Sequence, residues 1–525
     1  MKKLFFILSR IAVLSVCSNA LAATPSPSEE VTKPNIVIFY VDDLGYGDLS
    51  AYGAESVTTA HVDKLAANGI KFTDAHSSAA TCTPSRYSLL TGEHAFRENV
   101  RILKGDAAMV ISPEQPTLPK LLKKAGYTTG VVGKWHLGLG ADTAPVDWNE
   151  DVKPGPLEIG FDYSFLIPAT GDRVPSVYLE NHNVMNLDKN DPLYVDYNIK
   201  IGNRPTGYEH PDLLRQQADS QHSQSIINGV SRIGWMAGGK SAEWVDEDFS
   251  TVTTEKANTF ISDNKNTPFF LFFSFHDIHV PRLPNDRFKG ATNMGVRGDA
   301  IVQMDWITGQ VVEHLKANNL LNNTLIIFTS DNGAVLTDGY DDDALTLIGE
   351  HKANGPFKGG KYSAYEAGTR VPFIVHYPSK INTGVSDSLI SQIDIYASIA
   401  DLLGLTLDEK EAIDSENYLP ALFNPNLPAR KTLIEETPHT LSLRSGSYKY
   451  IRATDKNASF VVKKKNIDPG TMNTPQLFNL VSDIHEDMNL AKKLPQKVNE
   501  MEQIMRGIEA RQTRLESGVA TREIN

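Results

Sequence analysis

The chain has 525 residues, of which 41% are hydrophobic, enough for a large buried core and for a large and a small domain together. Its formal charge of −13 argues against a nucleic-acid partner, and it means that an anionic substrate must be drawn in by a local cluster of cations.

Residues 1–22 read as a secretory signal peptide: a basic start, an apolar stretch, then Ala20-Leu21-Ala22 before a cleavage point. Ser9 and Arg10 interrupt the apolar run and oppose a retained anchor helix. Cys17 raises a lipoprotein reading, which the bulky Val16 before it opposes. No other segment is apolar for long enough to span a bilayer. The protein is therefore expected to cross the inner membrane and act in the periplasm or outside the cell. Cleavage removes Cys17 and leaves Cys82 as the one thiol of the mature chain, so no intramolecular disulfide can form. Residues 23–33 read as a flexible leader.

From residue 34 onwards, apolar strands alternate with helical stretches. Strands are predicted at 34–41, 127–133, 268–275, 323–330 and 371–378, and helices at 61–68, 117–125, 299–318 and 392–403. Continuous apolar strands between helices imply an α/β fold whose mostly parallel central sheet is buried on both faces. Residues 141–250 are polar and rich in Gly and Pro, which predicts loop excursions around a site. The pattern changes near residue 430. Short strands such as 447–453, then an amphipathic helix from Pro495 to Arg514, predict a small C-terminal α+β subdomain with an antiparallel sheet. The expected division is 34–430 catalytic and 431–525 C-terminal.

Four core strands run directly into polar groups: Asp42-Asp43, Lys134 with His136, His276 with His279, and Asp331-Asn332. Open α/β sheets bind ligands beyond the carboxyl ends of their strands. Asp42, Asp43, Asp331 and Asn332 offer oxygen ligands only, which suits Ca²⁺, with Mg²⁺ as the alternative. Each Asp/Asn pair taken alone would equally serve as a turn or helix cap. In "TCTPSRYSLLTG" (81–92), Thr83 is a predicted N-cap, Pro84 fits the first turn and Gly92 ends the helix. Cys82 then sits at a helix N-terminus, a position that favours an anion, with Arg86 nearby. A lone cysteine elsewhere would usually be a small buried apolar group.

"CTPSR" followed by "LLTG" resembles the signature of the formylglycine-dependent (type I) sulfatases of the alkaline phosphatase superfamily. "VDDLGYGDLSAYG" (41–53), "GVVGKWHLG" (130–138), "FHDIHVP" (275–281), "TSDNGA" (329–334) and "GPFKGGKYSAYEAGTRVP" (355–372) resemble the family's other motifs, in its order. "QLFNLVSDIHEDMNLA" (476–491) is similar to its C-terminal segment. The resemblance implies that a maturation enzyme oxidises Cys82 to formylglycine, reading Pro84 and Arg86. It implies a metal held by Asp42, Asp43, Asp331 and Asn332 together with residue 82. By the same resemblance Asp331 is the base for the nucleophile, and Arg86, Lys134 and Lys361 hold the sulfate. His279 with Lys361 protonates the leaving alcohol, and His136 takes the proton that lets sulfate depart. His276 is expected behind these groups, Lys358 is a rival of Lys361, and Arg370 is expected to be structural.

Residues 171–195 resemble a segment of bacterial sulfatases that act on galactose-type sugars, which makes Arg173 and His182 candidate substrate contacts. The expected substrate is a sulfated polysaccharide or oligosaccharide, either a galactan such as carrageenan or a glycosaminoglycan. Two other readings stand beside this one: a phosphonate monoester or phosphodiester hydrolase of the same superfamily, and a catalytically silent carbohydrate-binding relative.

Overall fold

The computed structural model describes residue 1 and residues 33–514, apart from 144 and 457. The predicted signal peptide and leader fall, but for their outermost residues, outside the described residues.

Ten strands form the main sheet. In chain order they are β1 (Asn35–Val41), β2 (Ile70–Phe72), β3 (Thr128–Lys134), β4 (Tyr163–Ile167), β5 (Leu179–Glu180), β6 (Asn183–Val184), β7 (Phe269–Ser274), β8 (Thr324–Ser330), β9 (Phe373–His376) and β10 (Gly384–Ser386). Their spatial order is β10-β2-β9-β8-β1-β7-β3-β4-β5-β6. The central run β8-β1-β7-β3-β4 is parallel throughout. The predicted strand at 371–378 is present as β9, but it pairs antiparallel with β8 and β2. A continuous apolar run reports burial on two faces, not direction, so the sequence could not distinguish the two cases.

Strand β1 shows how the sheet is buried. Its alternate residues Ile36, Ile38 and Tyr40 enter one core with Leu89, Leu90 and Phe272. Val37, Phe39 and Val41 enter the other with Ile261, Met304 and Ile307. Each such side chain contributes about 1.5–3 kcal/mol of burial. The flanking helices are α1 (Ala60–Ala67), α2 (Cys82–Thr91), α3 (Leu118–Lys124), α4 (Phe249–Asp263), α5 (Gly295–Ala317) and α6 (Ile395–Leu402). They match the predicted stretches, and α4 adds a helix that the 141–250 reading stopped short of.

A separate four-strand antiparallel sheet follows: β11 (Thr432–Glu436), β12 (Leu441–Ser445), β13 (Tyr448–Ile451) and β14 (Gln476–Asn479). Helix α7 (Pro495–Glu509) packs Met501 and Met505 against Leu443 and Leu477. It ends five residues before the predicted Arg514, whose guanidinium instead donates to the carbonyls of Glu411, Ala412 and Ser415.

Candidate active site

The parallel strands deliver their polar ends to one place. Asp42 and Asp43 follow β1, Lys134 closes β3, His276 and His279 follow β7, and Asp331 and Asn332 follow β8. All are buried. Asn332 Nδ2 donates to Asp43 Oδ1 at 2.8 Å, and the Asp43 N–H reaches Asp331 Oδ1 at 3.3 Å. Asp43 and His136 hold φ of 59° and 55°, a left-handed conformation costly for a residue with a side chain. The glycine after Asn332 is required by space: a Cβ on Gly333 would lie 1.7 Å from the Ala367 carbonyl oxygen.

Three cations interleave with the carboxylates. Lys134 Nζ lies 2.5 Å from Asp42 Oδ2. Arg86 donates to Asp331 Oδ2 from Nε and Nη2 at 3.1 and 2.7 Å, and its Nη1 donates to Ser274 Oγ. Lys361 Nζ is 2.9 Å from Asp43 and 3.2 Å from Asp338 Oδ2. Lys358, the rival for that place, turns away to the Glu486 carbonyl and Asp487. Arg370 donates to the Thr73 carbonyl and pairs with Glu366, outside the site.

Helix α2 begins at Cys82 itself, with Thr81 in the N-cap position. The predicted N-cap, Thr83, lies inside the first turn, and its hydroxyl donates to the His136 carbonyl at 3.0 Å. Gly92 closes the helix at φ 70°, as its C-terminal place requires. The Cys82 side chain faces His136, with Sγ 3.4 Å from Nδ1. His136 Nε2 lies 3.0 Å from the Leu103 carbonyl, which can only accept, so Nε2 carries the proton. In the neutral ring Nδ1 then presents its lone pair to residue 82. By the same logic His279 Nδ1 donates to the Val280 carbonyl, and its Nε2 faces Asp43 Oδ2 at 3.9 Å. His276 Nε2 accepts the Gly171 N–H, which spends its lone pair behind the site.

Burial, reinforced by Lys134 and Arg173, holds His136 well below the ordinary imidazole range, so it is neutral and able to accept a proton. Burial with Lys361 and Lys134 does the same to His279. Burial raises the carboxyls of Asp43 and Asp331; for Asp331 the neighbouring Asp42 adds to the rise. Burial also pushes the Cys82 thiol up, against the pull of Lys134 and Lys361. As a plain thiol, residue 82 is a poor nucleophile.

The carboxylates of Asp42, Asp43 and Asp331 each place an oxygen within 4.8 Å of the others. Asp42 Oδ1 and Asn332 Oδ1 are buried without a hydrogen-bond partner. Buried acceptors left unpaired are costly, and an all-oxygen set of this kind fits a hard divalent cation.

A cleft of about 460 Å³ opens over Cys82, His136, His279 and Lys361. Arg173 lines it, paired with Asp172 at 2.7 Å. His182 is not among the lining residues; it pairs with Glu158 at 2.9 Å, and its backbone carbonyl accepts from Val152. Residues that the sequence reading missed also line the cleft. Asp338 bridges Lys361, Tyr362 and Lys465. His222 is held between Asp172 and Asp219. Asp338-Gly339 reads as an ordinary turn, and His222 lies in a loop without periodicity, so neither carried a local signal.

The model of the Sulfatase family matches residues 34–405. The chain belongs to the sulfatase family. An N-acetylgalactosamine-6-O-sulfatase of Bacteroides thetaiotaomicron is 44% identical over 511 residues, covering 97% of this chain and 99% of its own. The steryl-sulfatase of Rattus norvegicus is 31% identical over 436 residues, covering 78% of this chain and 73% of its own. A solved structure described with the metabolism of multiple glycosaminoglycans by Bacteroides thetaiotaomicron superposes with a TM-score of 0.90 at 45% identity, covering 91% of this chain and all of that one. The protein is a sulfuric ester hydrolase of the alkaline phosphatase superfamily. No helix among the described residues is long and apolar enough to cross a membrane.

Proposed function

We propose that this sulfatase removes 6-O-sulfate from N-acetylgalactosamine-type sugars of a glycosaminoglycan, with sulfated galactans as a second substrate class. The observation that carries the chemistry is the pairing of Cys82 with a neutral His136 in the lining of a cleft that Lys361 shares, with Arg86 and Lys134 paired to the buried Asp331 and Asp42. The sugar is supported by the bacterial relative that shares 44% of its residues over almost the whole chain. Residues 34–430 would form the catalytic portion and 431–525 the C-terminal subdomain. The signal peptide at residues 1–22 would direct secretion to the periplasm or beyond.

Cys82 would be matured to formylglycine, whose hydrate supplies one hydroxyl to attack sulfur and a second to expel the sulfate afterwards. Asp42, Asp43, Asp331 and Asn332 would hold a divalent cation with residue 82, Ca²⁺ before Mg²⁺, which supplies Lewis acidity and neutralises charge. Asp331, with its carboxyl raised by burial and by Asp42, is the base for the nucleophile. Arg86, Lys134 and Lys361 orient the sulfate and meet the charge that grows on its oxygens. His279 is neutral in the free site; the sulfate anion favours its protonated form, which with Lys361 protonates the departing sugar oxygen. His136 Nδ1 takes the proton that releases sulfate.

The test is sulfate release by the matured enzyme from N-acetylgalactosamine 6-sulfate, its 4-sulfate isomer, carrageenan oligosaccharides and an aryl phosphodiester. The 6-sulfate is expected to turn over fastest. A preference for the diester would move the protein to the phosphodiesterase reading, and turnover of none by matured enzyme would favour the silent binding protein.

A further inference from the structure

The C-terminal sheet has one long departure from regularity. Between the neighbouring strands β13 and β14 the chain leaves at Arg452 and returns at residue 475, and the Thr454 N–H donates to the Met472 carbonyl across the neck. This excursion reaches the cleft. Its single helical turn, Val461–Lys465, ends in a buried lysine whose ammonium pairs with Asp338, itself paired with Lys361. A second tether joins it to the same loop: Ser363 Oγ donates to the Asp468 carbonyl, and the Ala364 N–H donates to that of Pro469. The segment is thus fastened beside Lys361 rather than left to solvent.

What it presents outward is chemically specific. Phe460 lines the cleft yet remains 48% exposed. Lys463 and Lys464 are exposed, and of the three consecutive lysines Lys465 alone has a carboxylate partner among the described residues. Lys104, which also lines the cleft, lies 6.0 Å from the Tyr197 ring. In a chain of net charge −13, an exposed ring and the exposed Lys104 in the cleft lining, with two more exposed lysines in the same turn as the ring, fit a polyanion that carries apolar C–H faces.

We propose that the turn Phe460–Lys465 is a substrate strap, which binds the sugar units adjoining the sulfated one in an anionic polysaccharide. The Phe460 ring stacks on a neighbouring pyranose, and Lys463 and Lys464 meet its uronate or second sulfate. Lys465 is the buried anchor. The strap rests on the glycosaminoglycan reading above and adds that the enzyme is built for a chain rather than a single sugar.

The test compares kcat/KM of matured full-length enzyme on N-acetylgalactosamine 6-sulfate and on a hexasaccharide alternating that sugar with uronate. The hexasaccharide is expected to be the better substrate for the parent. The Lys463→Ala/Lys464→Ala variant is expected to lower the hexasaccharide-to-monosaccharide ratio about fivefold, through KM. Phe460→Ala is expected to lower it by a similar factor, and Phe460→Tyr to restore it. Added salt narrows the ratio for the parent more than for the double variant. A ratio within about twofold of the parent's in both variants, alongside good monosaccharide turnover, overturns the strap and leaves the sulfatase reading intact. If the parent hydrolyses neither sugar, the sugar reading falls and the strap falls with it.

Discussion

Two of the buried charge clusters among the described residues are alike in composition and differ in state. At the strand ends Asp42, Asp43 and Asp331 face Arg86, Lys134 and Lys361. Where the small sheet meets the large one, Asp74, Glu366 and Glu435 face Arg370, Arg444 and Lys449, with His76 among them. In the seam these three carboxylates are each paired, although Glu486, which accepts the Glu366 N–H, keeps Oε1 without a hydrogen-bond partner. Arg444 reaches Glu366 at 2.7 Å and Asp74 at 3.0 Å, and Lys449 reaches Glu435 at 2.8 Å and Glu366 at 3.1 Å. Despite burial, Arg444 and its neighbours hold Asp74 and Glu366 below the ordinary carboxylate range, and Lys449 and His76 do so for Glu435. At the strand ends burial prevails, Asp43 and Asp331 are raised, and two oxygens stay without a hydrogen-bond partner. Asp74, His76 and Glu366 lie close enough to hold a metal, as the active-site acids do. Proximity of acids therefore does not by itself identify a cation site; at the strand ends it is joined by two acceptors without a hydrogen-bond partner and by carboxyls raised through burial.

The comparison breaks most sharply at Asp42. Asp42→Asn is expected to lower sulfate release by about a thousandfold or more, since it weakens the cation site and frees Lys134. Added Ca²⁺ should raise the melting temperature of the parent but not of this variant. An equal rise in both would detach Asp42 from the metal.

Glu366→Gln should show the opposite profile. It takes one buried carboxylate from Arg370, Arg444 and Lys449, which keep Asp74 and Glu435, and is expected to cost about 3 kcal/mol in denaturant unfolding. Turnover at low temperature and the Ca²⁺-induced shift should survive, and loss of the Ca²⁺ shift would mean that the two clusters are one system.

The pH dependence sharpens the contrast. Folded-state values for Asp74, Glu366 and Glu435 lie below their unfolded ones, so their stabilisation is present above about pH 4–4.5 and is lost as pH falls through the depressed values. His76 is raised, by Glu435 first and then Asp74, against its burial. Its contribution is complete below about pH 6.5 and is lost as pH rises through the raised value. Urea unfolding across pH should fall off at both ends, and Glu366→Gln should flatten the acid limb.

The smallest expected effect is at Thr83. Thr83→Val removes the hydroxyl that holds the His136 carbonyl, at about 1 kcal/mol of stability, with kcat reduced a few-fold and KM little changed.

The sequence displayed the central strands because their apolar runs are continuous, and the site because those runs end in charged groups. The antiparallel placing of β9 was hidden, since burial on both faces looks the same in either direction. The N-cap was misplaced by two residues because Thr81 and Thr83 are both adequate caps; the Thr83 hydroxyl goes to the His136 carbonyl instead. Asp338 and Lys465 stayed invisible because each owes its place to a partner far along the chain, and His222 because it lies in a loop without periodicity. His182 shares a segment with Arg173, but that segment turns back through β5 and β6, which sends the imidazole to Glu158 instead of the cleft.

The account turns on residue 82. The most direct measurement is the mass of the tryptic peptide Phe72–Arg86, taken from a preparation that releases sulfate. The account predicts a peptide in which one sulfur and two hydrogens have given way to one oxygen, the aldehyde in place of the thiol. An active preparation whose peptide carries only the intact thiol would contradict it.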